Sequence, residues 1–311
     1  MIIHIGGPKS GSTTLQRAVF SNLEGIYHFG EFGDGVTSVS DESVIRQIFY
    51  CDEQFYNEDL VLKTIEKHQR AASGRNLVFS SADVLIFNRP TLSATRLAQL
   101  FGTDSKILLI IRNQFDALMS YYVGHGAWLK PAPRPYFRAF TEFTNWFEYQ
   151  LLNLEYSRLS TFSYWHQISP FAQIFDRENV HVIIFEELVN DVESAWTRLA
   201  ALLGKDELEI GNLFRSQRFR ERPSERQVKL GRLAAFLLPV IDQPDVTAPA
   251  GIFGQFLRRG RSYNVKLNQT QRDQLNSFYA EGNRTLADVF ELDLASYGYP
   301  GFHSDVAAPS T

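Results

Sequence analysis

Residues Ile2-Ile3-His4-Ile5-Gly6-Gly7-Pro8-Lys9-Ser10-Gly11-Ser12-Thr13-Thr14 carry a short β-branched stretch into a glycine-rich turn, and a helical pattern over Thr13–Asn22 begins at once. Backbone N–H groups at a helix N-terminus make an anion cradle, because their unsatisfied donors and the helix dipole point the same way. Strand, glycine loop and helix, in that order, is the context a phosphate-binding loop requires. The spacing Gly6-x4-Gly11 fits the frame of a nucleoside-triphosphatase loop, but Ser12 stands where such an enzyme needs Lys. The lysine sits inside the loop, at Lys9. The stretch Ile107–Ile111 ends in Arg112 and not in the Asp that would hold Mg²⁺. A nucleotide or small-molecule kinase is therefore the weaker alternative, and a nucleotide-binding module without chemistry is another.

Working outward, Ile2–Ile5, Leu77–Phe79, Ile107–Ile111 and Val180–Phe185 are short apolar runs of low polarity on both faces, as buried parallel strands should be. Helix-length segments lie between them: Asp59–Ala72 before the second, Thr91–Phe101 before the third and Phe115–Val123 after it. This alternation predicts an α/β fold, a central and mostly parallel sheet flanked by helices, with strand ends and helix starts on one rim. Phe140–Tyr156 is aromatic-rich and helical in pattern, and Ser194–Leu203 and Gln271–Phe290 read as further amphipathic helices. Residues 239–254, with three prolines and two glycines, read as a flexible loop, and Asp305–Thr311 as a frayed tail.

The 311 residues are 44% hydrophobic and 21% charged, which excludes a largely disordered, collagenous or disulfide-scaffold chain. Lys+Arg number 31 against 35 Asp+Glu, so there is no chain-wide basic field and no nucleic-acid partner is expected. Any anion site must be local. The single cysteine, Cys51, excludes an intramolecular disulfide and fits a reducing compartment. No run reaches the length of a membrane span and no signal-peptide core is visible, so a cytoplasmic location is expected.

Two motifs together carry a family resemblance. Pro8-Lys9-Ser10-Gly11-Ser12-Thr13-Thr14 resembles the 5′-phosphosulfate loop of sulfotransferases that use 3′-phosphoadenosine 5′-phosphosulfate (PAPS), usually P-K-S-G-T/S-T. Arg112-Asn113-Gln114-Phe115-Asp116-Ala117-Leu118-Met119-Ser120 resembles that family's 3′-phosphate motif, R-x7-S at the end of a core strand. Its chemistry is intelligible in itself: Arg112 offers a charged fork and Ser120 a hydroxyl from the following helix. Gln114 replaces the family's usual proline. Val182-Ile183-Ile184-Phe185-Glu186-Glu187-Leu188 is similar to the family strand that ends in an aromatic and an acidic pair, with Phe185 either beside the adenine or filling core. Residues 286–300 also look like bacterial members.

The resemblance implies a P-loop-like sulfotransferase fold in which both phosphate motifs serve one nucleotide. It therefore implies a single domain over 1–304, with helical insertions at about 125–170 and 205–265. It implies PAPS as co-substrate, with 3′-phosphoadenosine 5′-phosphate (PAP) as product, no metal, and a hydroxyl acceptor such as a carbohydrate or glycolipid. Lys9, Ser10, Gly11, Ser12, Thr13, Thr14, Arg112, Ser120 and Phe185 would bind the nucleotide. Residues 215–232 hold seven Arg/Lys against Glu221 and Glu225. In the family a basic loop late in the chain folds over the 3′-phosphate, a role assigned to Arg222, with Arg220 as the alternative. Arg258-Arg259-Gly260-Arg261 forms a second cluster, either exposed or meeting an anionic acceptor.

Sulfuryl transfer needs donor and acceptor held in line, charge stabilised on the leaving phosphate and a proton taken from the acceptor hydroxyl. Lys9 suits the second task. Glu31, in Tyr27-His28-Phe29-Gly30-Glu31, lies close to where glycan and tyrosylprotein sulfotransferases carry a catalytic glutamate, and is the first candidate for the base. His28, His125 and Asp83 are the alternatives, the last in Ser80-Ser81-Ala82-Asp83 where relatives often show S-S-E.

Overall fold

The computed structural model describes residues 1–31, 33, 39–81, 83–86, 88–124, 142–216, 223–237 and 260–302. The expected loop at 239–254 and tail at 305–311 lie outside them, as do His125, Arg220, Arg222, Arg258 and Arg259. Of Asp83 only the backbone is described.

The chain alternates as the apolar runs imply. β1 (Ile2–Ile5) leads into α1, which is α-helical over Ser12–Thr14 and π-helical over Leu15–Phe20. β2 (Ile26–Gly30), α2 (Val39–Tyr50) and α3 (Glu58–Ala72) follow, then β3 (Asn76–Ser81), α4 (Asp83–Ile86) and α5 (Pro90–Phe101). β4 (Lys106–Ile111) precedes α6 (Gln114–Gly124), α7 (Phe143–Leu152), α8 (Arg158–Thr161) and α9 (Tyr164–Ile174). β5 (Val180–Ile184) is followed by α10 (Phe185–Val189), α11 (Glu193–Leu203), α12 (Glu207–Ser216), α13 (Glu225–Leu237) and α14 (Gln269–Phe290).

Among the described residues the five strands form one sheet in the order β2-β3-β1-β4-β5, every pair parallel. Alternation along each strand divides the core into two layers. Ile3, Ile5, Phe29, Phe79, Ile107, Leu109, Ile111 and Ile184 face one layer, which includes buried residues of α2, α3, α5, α6, α7, α9 and α14. Ile2, Ile26, Val78, Leu108, Ile110 and Ile183 face the other, under α1, α11 and α12. Both faces are covered, which is why most strand residues are apolar and why the polar residues His4, His28, Ser80 and Ser81 within them are buried. No described helix is long and apolar enough to cross a membrane.

The helices α2, α4, α8, α9, α12 and α13 have no individually placed counterpart in the sequence reading, and three local features also differ from it. β2 is a full strand, although His28 and Gly30 weaken its β pattern. Phe185 opens α10 instead of ending β5, because Glu186 and Glu187 place two acids in a helical first turn. The first helix turns π after one α-helical turn, and the Gln16 carbonyl accepts from the Ser21 N–H five residues on and from the Ser21 hydroxyl.

Candidate active site

A parallel sheet delivers the end of every strand to one rim. Here that rim carries Glu31 after β2, the Gly6–Gly11 loop after β1, Arg112 after β4 and Phe185 after β5. The strand order sets their sequence in space. Arg112 is one strand from the loop, and Glu31 is two strands away on the other side, roughly 10 Å at the usual strand spacing.

The loop is held from within. The Gly6 N–H donates to the Ser81 carbonyl (2.9 Å), while the hydroxyls of Ser10 (2.7 Å) and Ser12 (2.9 Å) both donate to the carbonyl of Gly7. Their protons are thus committed to loop shape. Lys9 and Gly11 take positive φ values of 66° and 84°, and a Cβ on Gly11 would stand 2.9 Å from the Phe185 ring. Backbone curvature of this kind turns successive N–H groups toward one centre, the geometry that suits a phosphate. A Cβ on Gly124 would lie 2.5 Å from Lys9 Nζ, so the ammonium rests at the C-terminal end of α6, where a cation is favoured.

Arg112 joins the two motifs. Its Nη1 donates to the Lys9 carbonyl (2.9 Å), and the guanidinium lies 5.0 Å over the Phe185 ring. Phe185 therefore packs against the loop and braces Arg112. Arg112 Nε is buried and has no hydrogen-bond partner among the described residues, a charged donor still to be satisfied. The Tyr164 hydroxyl accepts from the Arg112 N–H (3.2 Å) and donates to its carbonyl (2.8 Å). Burial pushes the Tyr164 phenol well above its ordinary range, so it remains a donor. Ser120, two turns into α6, is half-buried. Thr13 and Thr14 are also half-buried at the loop's exit. A guanidinium one strand from a phosphate-shaped loop, its Nε unpaired among the described residues, is a group that could hold a second anion beside the loop.

Glu31 is half-exposed, and its N–H donates to the Ser80 carbonyl (2.9 Å). That approach requires Gly30: at φ 116°, a Cβ there would collide with the same oxygen. His28 is not brought to the rim. It is buried at 1% exposure, its Nδ1 within 3.0 Å of the Ser21 hydroxyl and its ring edge-on to Phe20, and burial lowers its pKa to about 4.

Sequence reasoning missed the residues that hold the Arg112 turn. Glu186 accepts from the Asn113 N–H (3.0 Å) and from the Tyr299 hydroxyl (3.0 Å). Gln114 is fully buried, its amide donating to Asn283 Oδ1 (2.7 Å), which explains how an amide occupies the family's proline position. A buried glutamine in a motif was the available signal; its partner, 169 residues away, was not. The basic stretch is also less free than its composition suggests. Arg215 pairs with Asp191, and Arg232 with Glu142 (3.1 Å) and Tyr122 (3.0 Å). Pro223-Ser224 stands at the start of α13, paired with the segment 261–263.

A family model described as a sulfotransferase domain matches residues 1–233. A sulfotransferase from Alicyclobacillus acidocaldarius superposes with a TM-score of 0.55 at 17% identity, covering 95% of this chain and 97% of that one. Mouse sulfotransferase SULT7A1, solved in complex with PAP, gives 0.50 at 18% identity over 95% and 87%. No curated protein sequence matches the chain.

Proposed function

Because the chain belongs to the sulfotransferase domain family, we propose that it transfers a sulfuryl group from PAPS to a hydroxyl of a carbohydrate or glycolipid acceptor in the cytoplasm. The observation that carries this reading is the junction of the two motifs, Arg112 bonded to the backbone of Lys9 with its Nε unpaired among the described residues. The donor supplies an electrophilic sulfur on a good leaving group. The acceptor oxygen forms a bond to that sulfur as the bond to the phosphate oxygen breaks, and PAP departs. Glu31 takes the hydroxyl proton, Lys9 stabilises the charge on the leaving phosphate, and Arg112 with Ser120 holds the 3′-phosphate. Arg112 and Lys9 on one rim suit in-line positioning of donor and acceptor. In this proposal Lys9 and Arg112 supply positive charge at the donor site, Arg222, outside the described residues, is assigned to the 3′-phosphate, and residues 1–304 act as a single domain.

Calorimetric titration of PAP and ADP tests the reading. PAP is expected to bind at least about tenfold more tightly, a difference of about 1.4 kcal/mol, and Arg112→Ala to abolish it. Equal binding of both, or a preference that survives Arg112→Ala, overturns it.

A further inference from the structure

The turn Arg112-Asn113 is gripped from three distant parts of the chain. From α10, just past β5, Glu186 Oε1 accepts the Asn113 N–H at 3.0 Å. From the C-terminal segment, Tyr299 donates its hydroxyl to Glu186 Oε2 at 3.0 Å, and the carbonyls of Tyr297 and Gly298 accept from Asn113 Nδ2 at 2.8 and 2.9 Å. From α9, Tyr164 brackets the Arg112 backbone. Asn113 Oδ1 in turn accepts from the Phe115 N–H and starts α6. Tyr299 is fully buried and Asn113 is 7% exposed, so these bonds are shielded from water.

The geometry points to Glu186 as a positioning residue for Arg112, acting through the Asn113 backbone, with Tyr299 as the C-terminal strut that orients the carboxylate. This inference rests on the nucleotide reading of Arg112 given above. The carboxylate touches no reacting atom in this scheme. It fixes where β4 ends, and so where the guanidinium fork is presented, while the glycine loop is built without it. Burial raises the Glu186 carboxyl above the usual range, and the Asn113 amide, the Tyr299 hydroxyl and Arg112 oppose that rise. Tyr299, pushed well above the ordinary phenol value by burial, stays protonated as the donor.

The test compares PAP with adenosine 5′-monophosphate, which lacks the 3′-phosphate, on the full chain. Glu186→Ala is expected to lower the PAP preference at least about tenfold while changing monophosphate binding less than about threefold; loss of one buried charged hydrogen bond is worth that much. Retained monophosphate binding shows that the variant is folded. Glu186→Gln, which keeps an acceptor for the Asn113 N–H, is expected to restore most of the preference. Tyr299→Phe, which removes only one hydroxyl, is expected to lower the same ratio by a smaller factor and serves should Glu186→Ala fail to fold. If wild type prefers PAP and neither variant changes the ratio, or both ligands weaken equally, the positioning role is overturned and the nucleotide assignment stands. If wild type shows no preference for PAP, both are overturned.

Discussion

His28, on β2, and Glu31, just past its end, lie three residues apart and meet opposite fates. The residue after β2 emerges at the rim, whereas His28 points under α1 against Phe20. Sequence alone offered both as proton acceptors, since each is chemically able. What separates them is the pleat of β2 and the placement of α1, neither of which the segment itself encodes. If Glu31 is the base, Glu31→Gln should lower kcat about 100-fold with little effect on PAP affinity. His28→Gln should leave kcat within about threefold and act on thermal stability instead. Steady-state kinetics on the two variants, paired with melting curves, check this; a larger kcat loss for His28→Gln would reverse the assignment. Lys9, Gly11 and Arg112 were legible because their signal is local, a strand end followed by a turn. Glu186 was visible only as half of an acidic pair, because its partners stand 73 and 113 residues away.

Elements were read from apolar periodicity, which found four of the five strands but, of the helices that cover them, missed α2, α9 and α12. It failed where polar residues are structural. α2 ends against Arg96 of α5, a side chain only 2% exposed, whose Nη1 donates to the carbonyls of Gln47, Ile48 and Cys51 at 3.1, 3.2 and 2.9 Å. The guanidinium lies 4.0 Å over the Tyr56 ring and pairs with Glu53 at 2.8 Å. These are the carbonyls that a helix C-terminus leaves without partners. An isolated arginine in an amphipathic helix reads as solvent-facing, so the cap had no sequence signature. Arg96→Met should cost about 3 kcal/mol of stability by stranding those carbonyls. Glu53 is 74% exposed, so Glu53→Gln should cost less than about 1 kcal/mol. Urea melts of both variants check the contrast, and equal losses would place the stabilisation in the ion pair.

For the whole molecule, the polar seam formed by β1, β3 and β2 under α1 links stability to pH. His4 is fully buried, its Nδ1 2.7 Å from the Ser80 hydroxyl, which also accepts from Gln16 Nε2 at 2.9 Å. Burial, reinforced by the neighbouring His28, lowers the pKa of His4 to about 3, and burial lowers that of His28 to about 4. Neither Nε2 has a hydrogen-bond partner among the described residues, so a proton placed there would be a buried charge without an acceptor. In the unfolded chain both histidines protonate near pH 6.5. Between that value and the folded pKa the unfolded state binds more protons, and stability therefore falls as pH is lowered. The full contribution is present above about pH 6.5, and each histidine should cost about 1 kcal/mol by pH 5.5. Glu186 and Glu187, whose carboxyls burial raises, act in the opposite sense as they protonate near the acid end. Wild-type melting temperature should accordingly be flat from pH 8 to 7 and drop between pH 6.5 and 5. His4→Gln with His28→Gln should begin lower at pH 8 yet flatten that drop, because neutral amides carry no proton linkage. A double variant that keeps the wild-type slope would assign the acid sensitivity to other groups.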